Sequence, residues 1–226
     1  MIFRETALLS PFFVFNKPAF FKKAAFHGIL LYRNEMHNGW REQPVNHCGT
    51  VPLETDRLIL RRFQESDAPA FFRNVNSDPL VNKYLTWKLH ESAAETESLL
   101  ADFISRYEDK KRYCWAIVLK ASGELIGTIA APTVKELTET VEVTYAIGSA
   151  WWGNGYAAEA LNTVMDFLFD RVGVNRIEAG HDANNPNSGK VMQKAGMRKE
   201  GVLRQAGRNN QGLFDLVFYA KLKQDR

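Results

Sequence analysis

The sequence has very little cysteine: Cys48 and Cys114 are the only two among 226 residues. Neither belongs to a C-x-x-C pair or to another spacing that typically holds a metal ion. A disulfide framework and a structural metal site are therefore not expected, and no metal cofactor is predicted. Unpaired thiols are typical of proteins in a reducing compartment, so we predict a cytoplasmic protein.

Long apolar segments and a strong net charge are also lacking. No apolar run approaches the roughly 20 residues that a membrane-spanning helix needs, so no membrane association is expected. The net charge is +3, and residues 1–50, with six Lys or Arg and three Asp or Glu, account for all of it. Since the rest of the chain is neutral, no basic surface for binding nucleic acid is predicted.

Residues 1–50 form an unusual N-terminal extension. They hold seven of the fifteen Phe residues, yet prolines and lysines interrupt every apolar run. Neither a core element nor a secretory signal is predicted, because sustained periodicity, a clean apolar region and a cleavage site are missing. Three interpretations remain open: a poorly ordered extension, a segment that docks its aromatic side chains, or a natural start at Met36. We expect residues 1–35 to be dispensable for folding and one domain to occupy residues 51–226.

The rest of the chain is organised around a junction at residues 151–160, W-W-G-N-G-Y-A-A-E-A. The preceding residues 141–147 are rich in β-branched and aromatic side chains and end at Gly148, as a strand before a turn should. Apolar residues then recur at helical spacing over residues 157–169. A helix N-terminus reached through glycines exposes free N–H groups that can bind a phosphate. Because isolated glycine pairs are more often plain connections, this prediction depends on the motifs around it.

Apolar periodicity elsewhere predicts a mixed α/β protein. Strands are predicted at residues 57–63, 113–119, 125–131, 139–147 and 174–179, and helices at residues 66–75, 91–106, 157–169 and between 188 and 194. A loop at residues 132–138 and a final hairpin, with arms at 197–204 and 213–220 around a loop at 207–212, complete the chain.

The strand predicted at residues 139–147 has two chemically different faces. Alternation places on one face Glu142, Thr144 and Ala146, and on the other Val141, Val143, Tyr145 and Ile147. A carboxylate on such a strand is a candidate functional group.

Several short motifs give the chain a resemblance to a known family. They are T-D-R-L-I-L-R at residues 55–61, W-G-N-G-Y-A-A-E-A at 152–160, N-P-N-S at 185–188 and K-A-G-M at 194–197. Together they resemble the GCN5-related N-acetyltransferases (GNAT), and within them the Rim-type branch, which acetylates the N-terminal amino groups of certain ribosomal proteins. The resemblance covers residues 53–222. It implies an acetyl-CoA-dependent N-acetyltransferase with the GNAT fold, a mixed α/β sheet that splays in the middle and is flanked by helices.

The resemblance also implies where acetyl-CoA, the expected co-substrate, binds. The turn into the helix would hold its pyrophosphate through backbone amides, and the edge of the preceding strand would pair with the pantetheine arm. Asn185 would contact the same arm, although it could also cap the helix that follows. The cofactor-binding residues expected on this basis are Tyr145, Ala146, Ile147, Trp152, Gly153, Asn154, Gly155, Tyr156, Ala157, Ala158 and Asn185. Since the wider superfamily often has Gln or Arg at the position of Trp152, backbone amides must do most of the phosphate binding here.

The same resemblance implies two catalytic residues, Glu142 and Ser188. An amine acceptor is mostly protonated at neutral pH and needs a base before it can attack a thioester. The branch places a carboxylate at Glu142, where burial would make it a better base; the alternative is a solvent-facing glutamate. His181 is a rival on chemistry alone, because histidine titrates near neutrality. Ser188 matches the general acid for the leaving thiol, which is the smaller role, and a backbone N–H near Ile147 would bind the oxyanion.

The acceptor is less constrained by the sequence. By the resemblance, the first helices and their connecting loop cover the acceptor site, so Tyr84, Trp87 and Lys88 are candidate wall residues that could equally pack within the helical layer. The favoured acceptor is the N-terminal α-amine of a protein or peptide. The alternatives are a small amine (an amino acid, a polyamine or an aminoglycoside) and a non-catalytic acyl-CoA-binding sensor. Asp78 is the only acid in residues 76–87, which argues against a polyamine. A monomer or a homodimer is expected.

Overall fold

The structure, a computed structural model, describes residues 45–226 of the chain. Most of the N-terminal extension, with the predictions made for it, lies outside the described residues. Val45, Cys48 and Val51 contact the main core, and the indole N–H of Trp115 donates to the carbonyl oxygen of Val51 at 2.7 Å. Packing of the domain therefore begins before residue 51. Within the described part of the chain, no helix is both long and apolar enough to cross a membrane.

Five antiparallel strands form the first sheet, in the order β1-β2-β3-β4-β7. They are β1 (Leu53–Glu54), β2 (Leu58–Arg61), β3 (Tyr113–Leu119), β4 (Leu125–Ala131) and β7 (Thr144–Ile147). The central strands β3 and β4 are almost entirely buried, as their continuous apolar runs predict.

Five strands also form the second sheet, in the order β5-β6-β8-β10-β9. They are β5 (Val134–Lys135), β6 (Thr140–Glu142), β8 (Arg176–Asp182), β9 (Arg198–Asn209) and β10 (Gly212–Leu222). β6 and β8 are parallel, whereas the other neighbours are antiparallel.

The two sheets share one stretch of chain, and Val143 lies at their junction. The sequence predicts a single strand over residues 139–147, but the structure divides it into β6, which pairs with β8, and β7, which pairs with β4. The N–H of Val143 still donates to the carbonyl oxygen of Glu178, at 2.8 Å. The prediction of a splayed sheet is therefore confirmed, and the cause of the splay is a strand that changes partners halfway.

Five helices pack on these sheets. They are α1 (Ala68–Phe71), α2 (Pro79–Asn82), α3 (Ala93–Ser105), α4 (Tyr156–Phe167) and α5 (Pro186–Lys194). Wider helical turns extend α1 over Phe72–Asn76 and α4 over Leu168–Val172. The short α2 begins at Asp78, whose carboxylate accepts from the N–H groups of the next turn, as an N-cap should.

Apolar side chains pack on both faces of the first sheet. α4 and α5 contribute to the main core on one face, which includes Trp115, Leu161 and Met192. α1 and α3 contribute to a smaller core on the other face, which includes Phe71 and Leu100. The predicted alternation in residues 139–147 is confirmed, because its large apolar side chains belong to the main core and Ala146 belongs to the smaller one.

The C-terminal hairpin is longer than the sequence pattern predicts. β9 and β10 extend to a two-residue turn at Asn210 and Gln211, where a loop over residues 207–212 is expected. β9 is an edge strand whose side chains are mostly exposed and polar, so it carries little alternation. The short strand β5 lies inside the predicted loop 132–138, and with two residues it is too short to show a period.

Candidate active site

A cleft opens where the two sheets diverge. Among the described residues β7 pairs with β4 alone, and β6 pairs with β8 only as far as Glu142 and Glu178. The facing backbone edges of residues 144–147 and 179–182 therefore have no strand partner there and can bind another extended chain, except at the carbonyl oxygens of Ile147 and Asp182, which accept from Trp152 and Asn185 at 2.7 Å each.

The register of β7 decides which of its backbone groups face this cleft. The N–H of Gly148 donates to the carbonyl oxygen of Ile126 at 2.9 Å, on the side of β4. Antiparallel pairing uses alternate residues, so the backbone groups of Ala146 also point to β4. The groups of Tyr145 and Ile147 point into the cleft. Two of the three strand residues predicted to meet the pantetheine arm, Tyr145 and Ile147, thus point their backbone groups into the cleft, and Ala146 does not.

The predicted phosphate-binding turn leads from the cleft into α4. Gly153 and Gly155 have φ angles of +81° and +82°, a left-handed conformation that glycine adopts without the strain of a side chain. No side chain caps α4, and the first N–H that bonds within it is that of Glu159, which donates to Gly155 at 3.1 Å. The N–H groups of residues 156–158 are therefore available to an anion.

Glu159 and Arg57 hold this turn against the start of the first sheet. The Glu159 carboxylate accepts from Nε of Arg57 at 2.7 Å and from the Thr55 hydroxyl, while Arg57 Nη1 donates to the carbonyl oxygen of Asn154 at 3.1 Å. Burial alone would raise the pKa of Glu159, but these hydrogen bonds outweigh it and hold the pKa below its ordinary value. The guanidinium also lies 4.5 Å from the ring centre of Tyr156.

This bracing role was not predicted, although its residues lie in two of the motifs that carry the family resemblance. The partners are about a hundred positions apart, so no local pattern in the sequence indicates that they meet. One signal could have found this ion pair: the opposite charges of Glu159 and Arg57, each of which lies in a motif of the family.

Trp152 and Asn154 complete the turn through side-chain contacts to the backbone. The indole N–H of Trp152 donates to the carbonyl oxygen of Ile147 at 2.7 Å, so this side chain fixes the end of β7. The amide of Asn154 donates to the carbonyl oxygens of Trp151 and Trp152 at 3.1 and 3.2 Å. Both side chains thus shape the turn, which leaves the backbone amides as its anion donors.

Glu142 lies at the end of β6, where the cleft begins, beside Glu178 of β8. Its side chain is exposed, so the expectation of a buried carboxylate is wrong. Glu178 is engaged by Lys135 and Arg176 at 3.0 and 2.8 Å, whereas no described residue forms a hydrogen bond or an ion pair with Glu142. The Glu142 carboxylate is therefore free to accept a proton from a molecule in the cleft.

Ser188 lies in the first turn of α5, where it contacts Tyr145 of β7. The Tyr145 hydroxyl oxygen is 2.9 Å from Ser188 Oγ and donates to the Ser188 carbonyl oxygen, also at 2.9 Å. Burial raises the pKa of Tyr145 to about 12. The strand edge and the first turn of α5 are thus joined by the side chains of one predicted cofactor residue and one predicted catalytic residue.

His181, the rival base, lies on the opposite face of β8 from Glu142. Glu142 is paired with Glu178, and residues three apart on a strand point to opposite faces. The imidazole is 9% exposed; its Nδ1 lies 2.8 Å from the carbonyl oxygen of Asp182, and a Cβ on Gly189 would lie 2.5 Å from its Nε2. The ring is packed under α5, away from the free carboxylate.

Asn185 and the backbone group that Tyr84 contacts both lie at the connection between β8 and α5. Asn185 occupies the N-cap position of α5, but its side chain makes no capping hydrogen bond, so the amide is available to a ligand. The hydroxyl of Tyr84 donates to the carbonyl oxygen of the neighbouring Asn184 at 3.0 Å. Tyr84 therefore links the loop after α2 to the end of the cleft.

Trp87 is held in the same loop by the turn of the C-terminal hairpin. Its carbonyl oxygen accepts from the side-chain amides of Asn82 and Asn210 at 3.0 and 2.7 Å, and the Asn210 amide also donates to Oδ1 of Asn82 at 2.9 Å. The predicted wall residues thus belong to a roof, defined as residues 83–90, that is fastened to β8, α5 and the hairpin. The third wall candidate, Lys88, is exposed.

Comparison with known proteins identifies the family. The family model of the acetyltransferase (GNAT) domain matches residues 57–198. The uncharacterized N-acetyltransferase YoaA of Bacillus subtilis (strain 168) is 34% identical over 171 residues, 76% of this chain and 96% of the relative. The ribosomal-protein-serine acetyltransferase of Escherichia coli (strain K12) is 26% identical over 113 residues, 50% of this chain and 63% of the relative.

A solved ribosomal-protein α-N-acetyltransferase in complex with coenzyme A has the same fold, with a TM-score of 0.68, 20% identity, and coverage of 76% of this chain and 98% of that chain. The family match spans more than half of the chain, and the expectation of an N-acetyltransferase is confirmed. This protein belongs to the GNAT acetyltransferase family.

Proposed function

We propose that this N-acetyltransferase binds acetyl-CoA in the cleft between β7 and β8 and transfers the acetyl group to the N-terminal α-amine of a protein. The proposal depends on two neighbouring sets of backbone groups without partners in the protein: those on the edge of β7 and those at the N-terminus of α4. The unpaired edge of β7 leads directly to the uncapped N-terminus of α4, and a pantetheine arm that ends in a pyrophosphate needs that pair of features.

The donor would be held mostly by backbone groups. Tyr145 would pair with the pantetheine amides as a neighbouring strand does, which leaves the N–H of Ile147 for the oxyanion, and the N–H groups of residues 156–158 would bind the pyrophosphate. The side chain of Asn185, which caps nothing, would add a contact to the same arm.

Glu142 is the proposed base. Its carboxylate lies at the mouth of the cleft without a partner among the described residues, so it can take the proton of the amine directly or through a water molecule. The amine nitrogen then attacks the acyl carbon, the N–H of Ile147 donates to the oxyanion, and the C–S bond breaks with its electron pair on sulfur. Ser188 would donate a hydrogen bond to that departing sulfur.

The roof favours a peptide acceptor over a polyamine. A polyamine has several positive charges and would need free carboxylates along its path. Asp78, the one acid in residues 76–87, is committed to the N-cap of α2 and to the N–H of Ser149 at 2.9 Å. Lys83 and Lys88 are exposed in the same segment.

An acceptor panel tests the proposal. CoA release would be measured with peptides that carry a free α-amine, with the same peptides blocked at the N-terminus, and with spermidine, free amino acids and an aminoglycoside. We expect turnover with free peptides and none with their blocked copies. Preferred turnover of a small amine would replace the proposed acceptor, and CoA binding without turnover on the whole panel would indicate a sensor.

A further inference from the structure

The hydroxyl of Tyr145 makes two contacts with one residue. It lies 2.9 Å from the carbonyl oxygen of Ser188 and 2.9 Å from Ser188 Oγ. A carbonyl oxygen only accepts, and tyrosine has one hydroxyl hydrogen. When the Tyr145 hydroxyl donates to the Ser188 carbonyl oxygen, its second contact requires the Ser188 hydroxyl to donate to the Tyr145 oxygen. In this arrangement the hydrogen of Ser188 faces Tyr145 and is unavailable to a substrate.

The same positions of the heavy atoms allow a second arrangement. If the Tyr145 hydroxyl turns its hydrogen to Ser188 Oγ, the Ser188 hydrogen is free to point elsewhere. Only two O–H bonds rotate, because the oxygen atoms already lie at hydrogen-bonding distance in both arrangements. The carbonyl oxygen of Ser188, in the first turn of α5, keeps its place in the helix.

We propose that Tyr145 is a positioning residue that makes Ser188 a hydrogen-bond donor to the leaving sulfur. The first proton of the ammonium passes from the amine through the exposed Glu142 carboxylate to water before the attack. As the C–N bond then forms and the C–S bond breaks, the electron pair of the C–S bond moves to sulfur and the second proton of the nitrogen goes to Glu142. The Ser188 hydrogen then turns to the developing thiolate, and the Tyr145 hydrogen turns to Ser188 Oγ. Both hydroxyls keep their protons, so the thiol leaves as an anion. The inference rests on the proposed function.

The surroundings of Tyr145 favour donation of a hydrogen bond over loss of the proton. Burial raises the pKa of Tyr145 to about 12, so a tyrosinate is unfavourable at neutral pH. A donor that is itself polarised by a second donor binds an anion more strongly than an isolated hydroxyl does. Tyr145 would therefore act on the sulfur only through Ser188.

Tyr219 of β10, in the second sheet, provides a matched control that packs in the same core. It is a buried tyrosine, 3% exposed, and its hydroxyl also bonds to α5, where it accepts from Nε2 of Gln193 at 3.1 Å. No contact with Ser188 is formed by Tyr219. A Tyr219→Phe variant therefore removes a comparable hydroxyl and helix contact without changing the donor at Ser188.

The test compares acyl donors that differ only in the atom that leaves. Single-turnover rates would be measured for wild type, Tyr145→Phe, Ser188→Ala and the double variant with acetyl-CoA, its selenium analogue and its oxygen analogue. With acetyl-CoA we expect each single variant to lose about 10-fold, the size of one hydrogen bond to a charged group, and the double variant to lose no more. The loss should shrink with the selenium donor, whose selenolate leaves readily, and grow with the oxygen donor.

Three results would overturn the inference. They are equal losses by Tyr145→Phe with all three donors, a double variant whose loss is the product of the two single losses, or a Tyr219→Phe variant that shows the same donor dependence. CoA affinity, measured by thermal shift for each variant, distinguishes an effect on the chemical step from a change in donor binding. Wild-type enzyme without turnover on any acceptor would instead refute the proposed function itself.

Discussion

The two ends of the cleft are built in different ways. At the phosphate end, the turn is fixed by left-handed glycines and by the side chains of Arg57 and Glu159, which lock it to the first sheet. At the acceptor end, Glu142 is exposed and without a partner among the described residues, and the roof is fastened by hydrogen bonds of Tyr84 and Asn210 and by no ion pair among the described residues. The donor end is thus fixed by backbone conformation and an ion pair, whereas the proposed base at the acceptor end is left free.

The largest effect is expected at the phosphate end. Gly155→Glu would place a carboxylate where the pyrophosphate is proposed to bind and should abolish the stabilisation by CoA in a thermal-shift assay. Gly173→Glu is the matched control, because Gly173 has a φ angle of +84° and open space for a side chain, so the backbone strain is similar. If both variants retain the CoA shift, the turn is not part of the donor site.

The next effect concerns the exposed end. Glu142→Gln keeps the shape of the side chain but removes its basic lone pair, so turnover should fall by about 10²-fold, within the usual range for general base catalysis. CoA affinity should be unchanged. Near-normal turnover in Glu142→Gln, together with an inactive His181→Asn, would move the base to the other face of β8.

A smaller effect is expected when the brace of the turn is weakened. Glu159→Gln removes the ion pair with Arg57 and should raise KM for acetyl-CoA several-fold, with kcat little changed and a loss of stability of about 1 kcal/mol. Glu200→Gln is a suitable control, because it removes an ion pair with Arg176 far from the turn. An equal rise in KM in both variants would argue against a specific brace.

The lowered pKa of Glu159 predicts how the stability of the protein changes in acid. The pKa of this carboxylate is lowered in the folded state, so the group contributes stability above the pKa of the unfolded chain, and the contribution is lost as the pH falls through the lower folded value. Below about pH 4.3, the ordinary value for Glu, the difference in unfolding free energy between wild type and Glu159→Gln should narrow. Urea unfolding at a series of pH values measures this difference in free energy. A difference that stays constant with pH would contradict the lowered pKa of Glu159 in the folded protein.

The smallest effect is expected at the roof. Asn210→Ala removes the amide that joins Trp87 to the hairpin and should raise KM for the acceptor a few-fold, with KM for acetyl-CoA unchanged. The exposed neighbour Gln211 gives the control variant Gln211→Ala. A change in KM for acetyl-CoA, with KM for the acceptor unchanged, would show that the roof acts on donor binding instead.

The sequence predicts most of the phosphate end, for physical reasons. Glycines, an apolar strand and an amphipathic helix are local signals, so the turn at residues 153–158 and the faces of β7 are predicted from neighbouring residues. The partner change at Val143 is not predicted, because a continuous apolar alternation does not say which strand pairs with each half. The long hairpin is missed for a related reason, since the polar edge strand β9 lacks a buried face.

The candidate site is predicted less completely than the fold. The sequence indicates which side chains have suitable chemistry, but exposure depends on what the rest of the chain covers. Glu142 is expected to be buried and is exposed, whereas the contacts of Tyr84 and Trp87 join residues 100 and 123 positions apart. Such contacts have no local signature, and only the folded chain reveals them.

The change of partners at Val143 has a consequence for how the enzyme holds and releases its donor. Beyond Val143, no backbone hydrogen bond among the described residues joins β7 to β8, and the Tyr145 hydroxyl links β7 to α5 through its contacts with Ser188. In the proposed binding mode, the pantetheine arm of acetyl-CoA forms hydrogen bonds with the unpaired strand edge and so occupies the place of a further strand. Amide hydrogen exchange on β7 and β8 should therefore slow when CoA is present. Release of the product would require those hydrogen bonds to break.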